Sequence, residues 1–300
     1  MNSPAPIVES ELHGHDAPVS RIAFSPDPSV LATADVERRV TVWKDGKPAQ
    51  KLDMRSGFDR LKGIERMRAL KFSPDGKSLH AIATDAVERW DVGTGEWQWG
   101  YIPPRHFGFI VVLPLGMAMA ADGRTAVSFD NGSIMIWDRD MRPVAMWRDN
   151  DAPRWLEFDG PGRLIGSDGF SVCVWDADRR EKTRRVSSDE RIYGFGYSSF
   201  GRVAATRSLY ETRLWKPDTG ETLGSVESTG ALPLVRFSPS APVVALASEQ
   251  LIVLHDYSFG ETRALADHVG RVVTFEFSPE GSRLAAGFGD GTVRVWQLPA

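Results

Sequence analysis

Three hundred residues with 42% hydrophobic content suffice for one large core or two ordinary ones, so length leaves the number of domains open. Thirty-six basic against 40 acidic side chains give a net charge of -4, which excludes a protein whose whole surface matches nucleic acid; any basic site has to be local. The single cysteine, Cys173, excludes an intramolecular disulfide framework and fits a reducing compartment, so the expected location is cytoplasmic and the expected thiol is buried.

The chain begins "MNSPAPIVESELHGH", with no basic stretch leading into an apolar one, so no secretory signal is readable. Within it, "PIVESEL" is an orphan extended segment directly before Gly14 and His15. From Phe24 onward an aromatic-turn element returns seven times: "FSPDP" at Phe24, "FSPDG" at Phe72, "MAADG" at Met119, "FDGPG" at Phe158, "YSSFG" at Tyr197, "FSPSA" at Phe237 and "FSPEG" at Phe277. Each is followed by an apolar alternation that ends on a large residue, namely Trp43, Trp90, Trp137, Trp175, Trp215, His255 and Trp296. These ends lie 47, 47, 38, 40, 40 and 41 residues apart. Alternation with period two, rich in Val, Ile and Trp and bounded by Gly, Pro and Asp, predicts strands; no stretch sustains a 3.6-residue period with caps. Each unit is therefore predicted to hold four short strands. The first ends at the aromatic turn, the second is the "LATA" or "LAAG" segment, the third ends at the Trp, and the fourth is the more polar segment after a "DTGE"-like hairpin. The most apolar run, residues 107–121, is broken by Pro114 and Gly116 and is too short to cross a bilayer as a helix. It is predicted as core strand, and no membrane insertion is expected.

"WD" itself stands at Trp90-Asp91, Trp137-Asp138 and Trp175-Asp176, and "GH" at Gly14-His15. These units resemble WD40 repeats, and the resemblance covers essentially all of the chain. It implies an all-β fold: residues 1–300 as a single seven-bladed β-propeller of four-stranded antiparallel blades around a channel. Only "QLPA" follows Trp296, so the last blade lacks an outer strand of its own; residues 5–12 are expected to supply it and close the ring. In the family, a His before the first strand, a Ser or Thr on the second, an Asp in the following turn and the Trp form a hydrogen-bonded tetrad. Blade one resembles this with His15, Thr33 and Trp43, but with Glu37 in the expected place of the Asp. Blade seven offers His268, Asp290 and Trp296, but Ala286 where a hydroxyl is expected. Trp90, Trp137, Trp175 and Trp215 are the corresponding structural residues of blades two to five, and His255 replaces the Trp of blade six.

The repeat absorbs most residues that suggest chemistry. His13 and His15 form an H-x-H pair without the partner cluster a metal needs, so they read as the approach to a blade. "GFGDG" from Gly287 lies between two strands and opens no helix, so it is a hairpin turn rather than a phosphate cradle. "GYSSFG" at Gly196 coincides with a repeat turn and lacks the spacing of a nucleophile elbow. Asn131-Gly132-Ser133 reads as a tight turn. Trp97 and Trp99 are predicted to share one face of an outer strand by period two and to cover the neighbouring blade. No catalytic residue, metal site or cofactor is implied.

Function should lie in the loops and the channel mouth. From each repeat end to the next aromatic turn the chain advances 21 to 22 residues in four cases, but 29 from Trp43 to Phe72 and 29 from Trp90 to Met119. The surplus falls in the loops leading into blades two and three. The first loop carries Arg55, Phe58, Arg60, Lys62, Arg66 and Arg68 against Asp59 and Glu65, an excess of three positive charges. The second adds Arg105, His106, Phe107 and Phe109, and Arg154, Arg191 and Arg271 lead into other blades. Guanidinium groups pair with carboxylate or phosphate while aromatic rings bury apolar area, the composition of a peptide-binding patch. The expected function is a non-catalytic protein-protein interaction scaffold that binds a partner protein or peptide, acidic or phosphorylated, through these loops and the channel mouth. The alternative is a propeller enzyme acting on a small molecule at the channel mouth, which requires convergent His or acidic residues. A nucleic-acid partner is the least favoured, because the protein as a whole is acidic.

Overall fold

The computed structural model describes residues 6–54, 67–83, 86–103, 112–227, 234–248, 251–265 and 270–299. They form seven antiparallel sheets of four strands. Blade one is Val19–Phe24, Val30–Asp35, Val40–Lys44 and Lys47–Leu52, paired in chain order. Residues 69–101, 114–148, 155–187, 194–227 and 235–264 repeat that order as blades two to six. Blade seven holds Val272–Phe277, Arg283–Phe288 and Val293–Gln297, and its outer strand is Ile7–Leu12 from the other end of the chain. First strands of neighbouring blades touch one another, so they form the inner ring and the fourth strands the rim.

The core is divided in the same way. Seven buried apolar clusters lie between blades one and two, two and three, three and four, four and five, five and six, six and seven, and seven and one. Each sheet is thus covered on both faces, which explains why the second strands read as unbroken apolar and small runs: all six residues of Val30–Asp35 are buried. The rim strand Lys47–Leu52 buries only Leu52, and its sequence is correspondingly polar.

The amino-terminal strand closes the ring as expected, in antiparallel register from Ile7 opposite Gln297 to Leu12 opposite Val293. Leu12 joins Val19, Trp43, Val293 and Val295 in the cluster between blades seven and one, and Arg294 Nε donates to Glu11 Oε2 at 2.7 Å. Two glycines allow this close fit. A Cβ on Gly14 would stand 2.8 Å from the Trp43 ring, which is the physical reason for the Gly of "GH". Gly291 has φ +88° and a Cβ there would lie 2.3 Å from the His15 carbonyl oxygen.

A bulge marks each tryptophan that ends a repeat. The rim strand carries one extra residue beside the third strand's Trp in blades one to five, at Ala49, Gln98, Val144, Thr183 and Leu223. Blade seven has the same feature at Glu9, although no hairpin joins its rim strand to Trp296. Blade six, with His255 in place of Trp, pairs without interruption from Val253 opposite Ala264 to Asp256 opposite Glu261. The bulge at Gln98 also corrects the expectation for Trp97 and Trp99. An inserted residue reverses strand parity, so Trp97 packs on the cluster between blades one and two. Trp99 turns the other way, stacks with Tyr101 and meets Trp137 of blade three edge-on at 5.7 Å.

Candidate interaction face

Blade one contains a complete polar network. Trp43 Nε1 donates to Thr33 Oγ1 at 2.8 Å; Thr33 Oγ1 and His15 Nε2 are 2.7 Å apart; His15 Nδ1 and Asp35 Oδ2 are 3.2 Å apart. Indole only donates and carboxylate only accepts, so the protons are ordered: Thr33 donates to Nε2, and Nδ1–H donates to Asp35. Burial holds the His15 pKa below its ordinary value, with the Asp35 hydrogen bond and charge opposing, so the ring is neutral at neutral pH. Asp35 also accepts from Arg39 Nε at 2.9 Å and from the backbone N–H groups of Glu37 and Arg39 at 2.9 and 3.0 Å. The acid of this network is Asp35, not Glu37. Side chains two apart on a strand share a face, so Asp35 lies beside Thr33, whereas Glu37 lies beyond the strand end and is exposed.

Other blades solve the same problem with other groups. In blade four, Trp175 Nε1 donates to Asp149 Oδ2 at 2.6 Å, so an acid in the loop leading into the blade stands where blade one has a histidine. Burial works against ionisation of Asp149, but Lys182, 2.7 Å away, and the indole N–H hold its carboxyl below the usual range. In blade five Trp215 Nε1 donates to Thr206 Oγ1 at 2.6 Å. Trp90, Trp137 and Trp296 are fully buried. Asp290 does not serve blade seven as a tetrad acid: it is exposed, and its Oδ1 accepts from the N–H and Oγ1 of Thr292 in its own turn. Phe288 packs near Trp296 instead, with ring centroids 6.4 Å apart. His268 lies outside the described residues. Cys173 is buried, which pushes its thiol up to about 11, far from a reactive thiolate.

The turn between a blade's second and third strands lies against the loop leading into the next blade. Asp149 N–H donates to the Gly132 carbonyl at 2.8 Å and Ile192 N–H to that of Gly169 at 2.8 Å. Leading loops and these turns therefore build one face of the disc. Of the residues predicted to bind a partner there, Arg55, Phe58, Arg60, Lys62, Arg66, Arg105, His106, Phe107 and Phe109 lie outside the described residues. Arg68 is described: it is half-buried, and its carbonyl accepts from Arg21 Nε at 2.8 Å, tying blade two to blade one.

Ion pairs run across the inner ring. Lys71 Nζ of blade two lies 2.8 Å from Glu157 of blade four, bridging blades that are not neighbours, and Arg236 of blade six donates to Glu276 of blade seven at 2.7 Å. Burial works against the charge of Arg236, but Glu276, and more weakly Glu157, hold its pKa above the ordinary value.

Sequence reasoning passed over the aromatic residues at turn tips on this face. Phe170 in "SDGFS" and Tyr210 in "SLYE" stand where turn residues are normally small and polar, and that mismatch was the available signal.

The family model described as "WD domain, G-beta repeat" matches residues 7–44 and 260–297. Each match contains one rim strand followed by the three inner strands of the next blade: Ile7–Leu12 with blade one, and Glu261–Ala264 with blade seven. Transducin beta-like protein 2 of Homo sapiens is 24% identical, over 97% of this chain and 71% of its own length. WD repeat-containing protein 26 homolog of Arabidopsis thaliana is 24% identical over 96% of this chain and 50% of its own. Serine-threonine kinase receptor-associated protein of Gallus gallus is 22% identical over 45% of this chain and 39% of its own. The chain thus spans from 39% to 71% of the length of these relatives. The two matched segments are similar to WD40 repeats and coincide with blades one and seven of the seven-bladed propeller.

Proposed function

We propose that this protein is a non-catalytic interaction scaffold, in which a ring of covered sheets presents loops to an acidic or phosphorylated segment of a partner protein. The observation that carries the reading is the pair of lengthened leading loops of blades two and three, with an excess of three positive charges on the first, Arg105 on the second, and arginines beside phenylalanines on both. A preformed surface on a rigid ring binds with little ordering entropy on its own side. The kinship with WD-repeat proteins supports a protein partner; one relative is named for its association with a receptor. The ion pairs that run across the inner ring lend no support to a small-molecule site in the channel. We place the protein, residues 1–300 as one propeller, in the cytoplasm, which its single unpaired thiol suits.

The test is affinity capture from the native host, read by mass spectrometry, with the wild type and a variant carrying Arg60→Glu, Arg66→Glu and Arg105→Glu. Partners recovered by the wild type are expected to be lost from the variant. Unchanged recovery by a variant with unaltered melting refutes the siting on these loops.

A further inference from the structure

Blades four and five carry a second patch on the same face. Phe170 is 57% exposed at the tip of the turn after blade four's second strand. Its position is fixed by the turn itself: Asp168 Oδ1 accepts the N–H groups of Phe170 and Ser171, both at 2.7 Å, and Gly169 has φ +101°. Through the bond of Ile192 to Gly169, the loop leading into blade five is pinned against this turn. That places the Arg191 guanidinium 5.9 Å from the Phe170 ring centroid and 5.4 Å from that of Tyr193. Tyr193, 37% exposed, is held in turn by its N–H bond to the Arg207 carbonyl at 2.8 Å. The turn just beyond Arg207 raises Tyr210 to 74% exposure, and the Ser208 hydroxyl accepts the Tyr210 N–H at 3.2 Å. The exposed Arg154 side chain also reaches this turn, passing 3.9 Å from the position a Cβ on Gly169 would occupy, beside the Ile192 carbonyl at 3.6 Å.

The result is a row: Arg154, Phe170, Arg191, Tyr193, Tyr210. Large rings at turn tips gain nothing for the fold, because the clusters between blades four, five and six do not include Phe170 or Tyr210. Neither Arg154 nor Arg191 forms an ion pair among the described residues. Aromatic contact restrains the Arg191 guanidinium while leaving donor edges for an acceptor, so less rotamer freedom is lost on pairing. The nearest acids also bear on the kind of partner. Asp168 is committed to its turn, and Asp189 and Glu190 directly precede Arg191 in the sequence, so a run of phosphates along the row would meet more repulsion than a single carboxylate.

We propose that this row docks a linear peptide in which an Asp or Glu side chain stands within three residues of an aromatic or aliphatic one: the carboxylate pairs with Arg154 or Arg191, and the apolar side chain covers Phe170 and Tyr210. The proposal rests on the scaffold reading above but sets the contact on blades four and five.

The test uses the whole 300-residue protein as bait for a random twelve-residue peptide library displayed on phage. A recovered peptide is then synthesised with a fluorophore and titrated by anisotropy. Support consists of recovered sequences that share an acidic residue beside an apolar one, and of affinity reduced at least tenfold both in Arg154→Glu with Arg191→Glu and in Phe170→Ser with Tyr210→Ser. All four positions are at the surface, and the melting temperature of each variant is checked. Recovered peptides without a common acidic residue, no recovered binder, or unchanged affinity in both variants would overturn the proposal. So would a labelled twelve-nucleotide poly(U) probe that displaces the peptide at comparable concentration. Affinity lost only in the blade two and three variant sinks this patch and leaves the scaffold reading standing; peptides lost only in the blade four and five variants do the reverse for the siting on the longer loops.

Discussion

Blade one and blade six follow the same strand plan and are fixed by different means. Blade one ties its leading loop, second strand and third strand together through His15, Thr33, Asp35 and Trp43. Blade six has Leu246 nine residues after Phe237, where blade one has Thr33 nine after Phe24, and among the described residues the side chain of its His255 bonds only Thr262 of its rim strand, Nδ1 to Oγ1 at 2.8 Å. Even so, blade six forms four paired strands, with apolar clusters on both faces. Burial between neighbours is therefore sufficient for a blade, and the polar network adds something more local. It sits at the seam: His15 is three residues beyond Leu12, the last residue of the closing strand. Blades one to six are joined to their rim strands by hairpins, whereas the seam relies on non-covalent contacts alone, and there the network anchors the segment that leaves the closing strand.

Truncation should separate the two blades most strongly. Trp43→Ala removes a fully buried ring and the N–H that Thr33 Oγ1 accepts, and is expected to cost about 3–5 kcal/mol in chemical denaturation. His255→Ala, at a half-buried position, is expected to cost under about 1 kcal/mol. Equal losses would show that the network contributes nothing special at the seam.

Acid provides the next contrast, because three histidines meet three surroundings. His15 has two partners and His255 is half-exposed. His80 of blade two is 2% exposed, its Nδ1 has no hydrogen-bond partner among the described residues, and burial, with help from Arg89, pushes its pKa down to about 3. Between pH 6.5 and about 3 the unfolded chain takes up a proton that the folded His80 refuses, so its contribution to stability is intact above that window and falls as the pH falls through it. At pH 4.5 the loss attributable to His80 is roughly 3 kcal/mol relative to pH 7. Denaturation midpoints of the wild type and His80→Leu at both pH values read this difference; parallel pH profiles would contradict it.

A smaller effect concerns the acid of the network. Asp35→Asn keeps the shape but gives up the charge that Arg39 and two backbone N–H groups bind, an expected loss of about 1–2 kcal/mol. Thr262→Ala, which removes the side-chain partner of His255 among the described residues at an exposed position, should change stability by under about 0.5 kcal/mol. A double-mutant cycle of Asp35→Asn with His15→Gln then reports whether the two act as a unit.

The amino-acid sequence by itself determined the number of blades, their strand order and the provenance of the seventh rim strand. Period-two alternation, turn residues and a spacing of about forty are local properties, and the extended segment before Gly14 and His15 belongs to none of the seven units. Tertiary structure decided what depends on which face a side chain turns to. Asp35 rather than Glu37 completes the network because it shares a strand face with Thr33, and Trp97 and Trp99 part company because a single inserted residue at Gln98 reverses the pleat. The row from Arg154 to Tyr210 likewise draws on four separate segments, brought side by side only because each turn of one blade is pinned to the loop leading into the next. Such groupings come from contacts between distant parts of the chain, for which a repeat pattern fixes the scaffold but not the exposed side chains it carries.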